Sequence, residues 1–399
     1  VDKDVLLGHS PVTDFGIDPL NPHPRRRIEI VGGQRADELR SQILRNCPRV
    51  PGVYGMLCRR GELIYVGKSK SLRSRLLSYF ADSNSESKGG RIIESTRAIQ
   101  WETQPSDFAA LLREQQLIRR YSPRWNVQGV PQRQRPVYLC LGRQPAATFF
   151  LTAVPPKDCV AVEGPFHGTK RMNIAVDALN KVFRLRDCSQ QQVFHFAEQM
   201  QLFDLDHRAG CLRLELDTCM GPCAAACTRE AYDVQVNAAQ SFLDGFNDEP
   251  LVKIRDQMER AAENRQYELA SRSRDTLKSL EYVNRKLNYL AKARRDYSFV
   301  YAASSFDGCS TWYLIRGGEV ADVLPAPRNP VEYAELKPKL KVWQAALASG
   351  SDRGHGRFSE TLSVVASWFK KNRGELKRTF APEQSGRKYF RRSLSAIAS

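Results

Sequence analysis

The residues best suited to chemistry in this chain fall into two groups. The first begins with the tripeptides Gly52-Val53-Tyr54 and Tyr65-Val66-Gly67, each ordinary in a β-hairpin when taken alone. Their surroundings add Lys68, then Arg75 ten positions after Tyr65, then Glu114 and Asn126. Two phenols, a pair of cations, one carboxylate and one amide are parts that phosphodiester hydrolysis needs: a ligand for a hard cation, a base for water, and positive charge beside the phosphorane. The second group is Cys188, Cys211, Cys219 and Cys223, separated by 23, 8 and 4 positions. Gly221-Pro222 between the last two disfavours a continuous helix and suits a loop folded round a metal centre. Clustered thiols of this kind argue for metal or cluster ligation rather than a disulfide framework; buried reduced cysteines are the other reading. Cys227 is an extra thiol with no assigned role.

These side chains need a scaffold. Val53–Arg59, a Gly-containing turn at 60–62 and Leu63–Val66 read as a hairpin. From Ser71, Leu72, Arg75, Leu76 and Tyr79 recur along one helix face, with Ser69 or Ser71 as the cap. ADSNSESKGG reads as a loop and RAIQWETQ as a strand. SDFAALLREQQLIRRY opens with a capping Ser, runs as an amphipathic helix and stops at Pro123. A β-β-α-β-α order implies a small sheet with helices packed on it. Residues 1–46 read as an arm with one helix, DELRSQIL, and regular structure is expected from Pro51.

Composition bounds the partners. With 61 Lys+Arg against 44 Asp+Glu, the net charge of +17 favours a polyanion, nucleic acid first. Apolar residues at 42% and charged residues at 26% fit globular domains, and 399 residues suggest two to four of them. No stretch approaches the roughly 18 unbroken apolar residues of a membrane helix. The first residues are acidic where a secretory signal would be basic, so the expected location is cytoplasmic, at the nucleoid, with no membrane partner.

PGVYGMLCRRGELIYVGKSKSLRSRLLSYF and FAALLREQQLIRRYSPRWNV together resemble the GIY-YIG nucleases in the form found at the start of the UvrC family. The resemblance implies catalytic roles for Tyr54, Tyr65, Lys68, Arg75, Tyr79, Glu114 and Asn126, with Glu114 the ligand of one Mg²⁺ or Mn²⁺ ion. Tyr54 or Tyr65 would take the proton of the attacking water. A phenol with an ordinary pKa of about 10 is a poor base at neutral pH, so Lys68, Arg75 and the metal would have to favour phenolate. Downstream, GPFHGTKRMNIAVDALNKVFRLRDC, RAGCLRLELDTCMGPCAA and FLDGF resemble the UvrC cysteine region. That implies a [4Fe-4S] cluster on Cys188, Cys211, Cys219 and Cys223, with Zn²⁺ as the close alternative. MERAAENRQYELASRSRD sits in a helical hairpin that resembles the UVR motif through which UvrC meets UvrB; a hairpin packed only on its own protein is the plainer reading.

The expected fold class is thus α+β and multidomain. Its parts are a small GIY-YIG mixed sheet flanked by helices over 47–128, an extension over 129–187, and a cysteine-rich cluster domain over 188–246. A UVR-like hairpin over 247–290, a strand-containing piece over 297–366 and a basic tail over 367–399 complete it. Full-length UvrC proteins add a ribonuclease-H-like nuclease and helix-hairpin-helix modules, and the ~100 residues after Asp296 are too few for both. Asp307 and Asp322 are the only carboxylates there that suggest a second site, so the chain resembles the short, Cho-type members of the family. In the tail, Trp368, Phe369, Phe380, Tyr389 and Phe390 interleave with Lys and Arg, which suggests phosphate contacts and base stacking, or else a solvated tail. The implied function is a DNA endonuclease of nucleotide-excision repair that cuts damaged double-stranded DNA on the 3′ side of a lesion. A non-cleaving accessory protein that binds UvrB and DNA is the alternative.

Overall fold

The computed structural model describes residues 14–22, 28–33, 35–81, 87–127, 137–166, 169–189, 191–199, 210–348 and 361–386. The chain forms two compact units, one of residues 1–130, 296–351 and 364–399, the other of 131–295 and 352–363.

In the first unit, β1 (Ile28–Gly32), β2 (Gly52–Leu57), β3 (Leu63–Ser69) and β4 (Ala98–Thr103) form a sheet in the order β1-β4-β2-β3. Every pairing in it is antiparallel, where a mixed sheet was expected. Regular structure also begins before Pro51. β1 pairs with β4, and α1 (Ala36–Asn46) buries Leu39 and Ile43, so the expected arm is part of the sheet. The two faces of the β2-β3 hairpin go to different partners. Tyr54, Met56 and Ile64 join Leu72, Leu76 and Tyr79 of α2 (Leu72–Ala81) and Ile92 of α3 (Lys88–Glu94). Val53, Leu57 and Val66 face Ala110 and Leu117 of α4 (Asp107–Tyr121). Ser106 caps α4 by accepting the Ala109 N–H at 3.1 Å, and Ser122, left-handed at φ 43°, ends it before Pro123.

The same unit includes a second sheet made of β8 (Phe299–Ala303), β9 (Thr311–Arg316), β10 (Glu319–Pro325) and β11 (Thr379–Phe380), in the order β10-β9-β8-β11. Phe108 and Leu112 of α4 sit in its core among Tyr301, Tyr313, Val365 and Phe369. The division at 366/367 is therefore corrected: the helix Leu362–Lys371 runs across it, and Trp368, Phe369 and Phe380 pack inward rather than offering faces to bases. Apolar rings in a basic stretch serve the core because burying a Phe gains more than a cation nearby costs in solvent. Tyr389 and Phe390 lie outside the described residues. Asp322 accepts the Trp343 indole N–H at 2.8 Å and Asp307 holds a turn at Cys309, so both are engaged structurally.

The second unit opens with β5 (Val137–Gly142), β6 (Thr148–Thr152) and β7 (Ala161–Phe166), ordered β6-β5-β7, with α6 (Thr169–Val182) against β6. The region expected to extend the nuclease domain thus has its own sheet in the other unit. The cysteine segment and the helix Arg229–Leu243 follow. The helices Glu249–Glu263 and Tyr267–Asp296 then form the hairpin, tied by Arg255 to Glu281 at 3.2 Å.

Candidate active site

β3 is the edge strand of its sheet, so one side of its backbone has no strand partner. Two of the residues named from the sequence fill that role. Asn126, on the short helix α5 (Arg124–Val127), accepts the Val66 N–H at 2.7 Å and donates to the Val66 carbonyl at 2.9 Å. Glu114 Oε1 accepts the Lys68 N–H at 3.1 Å. Asn126 therefore clamps the strand edge beside Tyr65.

Around the strand, the face toward α2 gathers the tyrosines. Tyr54 and Tyr79 share an O–H···O bond of 2.9 Å, and Arg75 donates to both, at 3.3 Å and 3.4 Å. The Tyr65 ring centroid is 6.2 Å from Tyr54 and 6.3 Å from Tyr79. Gly67 is required here: a Cβ on it would meet the Tyr54 hydroxyl at 2.5 Å. Tyr54 and Tyr79 are buried and Tyr65 is half-buried, which makes Tyr65 the phenol that solvent reaches. Burial pushes all three phenols up; for Tyr54 the neighbouring Tyr65 adds to this and bonds from Tyr79 and Arg75 oppose it, giving about 12. In the protein alone the phenols are neutral at physiological pH. The expected help from Lys68 is absent, because its ammonium pairs with Asp107 at 2.6 Å.

Asp107 is the site residue that the sequence reading missed. It sits in the first turn of α4, where an acid is common for its favourable interaction with the helix N-terminus, and that explanation hid it. It also acts on Glu114. Burial chiefly, with Asp107 adding, raises Glu114 to about 7 against the pull of Lys68 and its backbone N–H. A carboxylate this reluctant to ionise, with one oxygen held on a strand edge, suits a divalent cation, whose charge would offset the desolvation.

The cysteine region has its own supports. Arg186, fully buried, bonds the Cys188 carbonyl at 3.1 Å and the Ala146 carbonyl at 2.6 Å, fixing one arm of the region. Gly221 donates to Cys219 Sγ at 3.3 Å. Burial raises Cys219 to about 11, with Cys188, Cys211 and Cys223 adding to the rise, so the four thiols feel one another. Yet among the described residues no three His, Cys, Asp or Glu side chains are grouped as a metal ion would need. The donor chemistry fits a metal centre and the placement falls short of one.

Comparison with known proteins gives the class first. Residues 50–127 match the profile of the UvrC-like GIY-YIG domain, 137–242 that of the UvrC/Cho excinuclease middle domain, and 248–283 the UvrB/UvrC motif. Through these three consecutive domains the chain belongs to the UvrC family. Among its relatives is the UvrABC system protein C of Sphingopyxis alaskensis, 30% identical over 72% of this chain and 44% of that protein. The one from Nitrosomonas europaea is 35% identical over 60% and 38%. The chain thus spans about half or less of the length of these relatives. A crystal structure of the GIY-YIG N-terminal endonuclease domain of UvrC from Thermotoga maritima, bound to magnesium, is 34% identical over 23% of this chain and 98% of that one, with a TM-score of 0.21.

Proposed function

We propose that this chain is a metal-dependent DNA endonuclease of nucleotide-excision repair that makes the 3′ incision at damaged DNA. The observation that supports it most is the gathering of Tyr54, Tyr65, Tyr79 and Arg75 on the α2 face of the hairpin with Glu114 on the outward Lys68 N–H of the edge strand, inside a UvrC-like GIY-YIG domain.

Glu114 would hold the Mg²⁺ or Mn²⁺ ion, which supplies Lewis-acid stabilisation to the phosphate and the departing oxygen. Tyr65, the reachable phenol, would take the proton of the attacking water only as phenolate, its own proton having left to solvent, a form that Arg75 and the ion would have to favour; Tyr79 and Tyr54 stand behind it. Arg75 stays charged throughout, since its bond to Tyr54 raises its pKa, and it places fixed positive charge beside the phosphorane. Lys68 and Asp107 form a neutral pair that leaves Glu114 as the negative group facing the ion. Asn126 keeps Val66 and hence Tyr65 in place.

The four cysteines would carry a [4Fe-4S] cluster, or Zn²⁺ in its stead, as a structural centre. The hairpin would meet UvrB, and its exposed Val252, Tyr267 and Leu269 offer apolar contact for that. Mapping cuts on a lesion-bearing duplex with Mg²⁺, with and without UvrB, tests the whole reading. One cut 3′ of the lesion is the expected product. Binding without any cut would favour the accessory alternative, which the retained Glu114 and Arg75 speak against.

A further inference from the structure

The residue before Glu114 has no part in the chemistry above and is among the most thoroughly bonded in the first unit. Arg113 is 2% exposed, an uncommon state for an arginine. Its Nε and Nη2 donate to Glu102 Oε2 on β4 at 3.2 Å and 3.0 Å. Three consecutive carbonyls near the start of the chain close round the fork: Nη2 also meets those of Phe15 at 3.2 Å and Gly16 at 2.6 Å, and Nη1 donates to that of Ile17 at 3.1 Å. Asp18 continues the network, accepting from Gln104 Nε2 at 3.1 Å, while that same nitrogen bonds Glu102 Oε1 at 2.7 Å. The Phe15 ring, 0% exposed, sits with Val53, Val66, Ala110 and Leu117 between the sheet and α4.

We propose that residues 14–18 are a strap that, through Arg113, positions Glu114 for the cation, which makes Arg113 a positioning residue. The proposal rests on the reading of Glu114 as the cation ligand. Successive helix residues are turned by about 100°, so whatever fixes Arg113 about the helix axis fixes Glu114 as well. Ala110 and Leu117 pack on the sheet and Phe108 and Leu112 in the C-terminal core; apolar contacts are non-directional and tolerate small rotations of the helix, whereas a planar fork held by a carboxylate and three carbonyls sets the angle. The strap lies outside residues 50–127, the part of the chain that matches the GIY-YIG domain.

The test is Mn²⁺ binding by the full chain, read from the electron paramagnetic resonance of the free ion well below the melting temperature, with Glu114→Gln defining the signal due to this site. Arg113→Lys keeps the charge and loses the fork; it should weaken Mn²⁺ binding about tenfold, the lower range for groups that orient a metal ligand, and lower kcat with KM for DNA unchanged. Gly16→Val perturbs the strap while leaving Arg113 itself unreplaced, since Gly16 has φ +73° and a Cβ there would meet Arg120. It should shift binding the same way by a smaller factor. Wild-type affinity in both variants, even with a lowered melting temperature, would overturn the strap's role. Equal Mn²⁺ binding by the wild type and Glu114→Gln would instead overturn the assignment of Glu114.

Discussion

The GIY-YIG site and the cysteine region are both sets of side chains brought in from distant parts of the sequence, yet they are held differently. Around β3, each group has a fixed partner inside the protein: Arg75 on two phenols, Lys68 on Asp107, Asn126 and Glu114 on the strand backbone. Around Cys219, burial chiefly raises that thiol, with Cys188, Cys211 and Cys223 adding, and its Sγ accepts the Gly221 N–H. The first arrangement is organised before any ion arrives, which is what transition-state stabilisation requires. The second would be organised by the metal proposed for it, whose binding energy would then be folding energy.

That contrast can be broken in order of expected effect. Glu114→Gln should abolish Mg²⁺-dependent cleavage, a loss of at least about 10³-fold for a group of this kind, with DNA affinity measured by anisotropy nearly unchanged. Near-normal cleavage would mean that the site is organised around some other ligand. For the cysteines, protein purified without oxygen should be brown, with absorption near ~400 nm, and Cys219→Ser should bleach it and lower the melting temperature. Colourless protein with one zinc per chain would keep the contrast and change the metal; metal-free folded protein would remove it.

Phe108→Ala comes next. The ring lies 5.2 Å from Tyr301, 5.0 Å from Tyr313 and 5.3 Å from Trp368, so truncation should cost about 3–5 kcal/mol. Because α4 bears Glu114, denaturant melts and cleavage should fall together, and an unaffected melt would show that the C-terminal sheet is only loosely engaged. The smallest effect is that of pH. Glu114 at about 7, above its ordinary 4.5, means the folded chain holds that proton more tightly than the unfolded one. Cation-free protein should then lose stability as pH rises from about 4.5 to about 7, and Mg²⁺ should restore it. Below about 7 the proton competes with the ion, so Mn²⁺ affinity should fall with acid. A flat profile from pH 5 to 8 would contradict the burial of that carboxyl.

Much of the scaffold near the hairpin was legible because its pattern is local. The β2-β3 repeat, the α2 face and the capped α4 all follow from residues within a few positions of one another. What escaped notice depends on distance in sequence. Asp107 reads as a helix-start acid until Lys68 is placed against it, and Arg113 reads as a solvated helix charge until Phe15–Ile17 arrive from about a hundred positions away. Trp368 and Phe369 sit in a basic run that looks like a tail, and only the sheet formed by β8 and β9 shows where those rings go. The seven chemically matched residues were found as types in order; that Asn126 and Glu114 bond the outward edge of β3 while Arg75 and the tyrosines cluster toward α2 was not visible.

Asn126 has a consequence beyond cleavage. Its amide presents one acceptor and one donor to Val66, in the way a neighbouring strand would, and Glu114 takes the next outward N–H. Two side chains thereby occupy the docking positions of a missing fifth strand. Exchanging them for apolar groups would bare a short β-edge able to recruit extended peptide, including another copy of itself. Solubility at high concentration is then a property this protein draws from the same atoms that frame its chemistry.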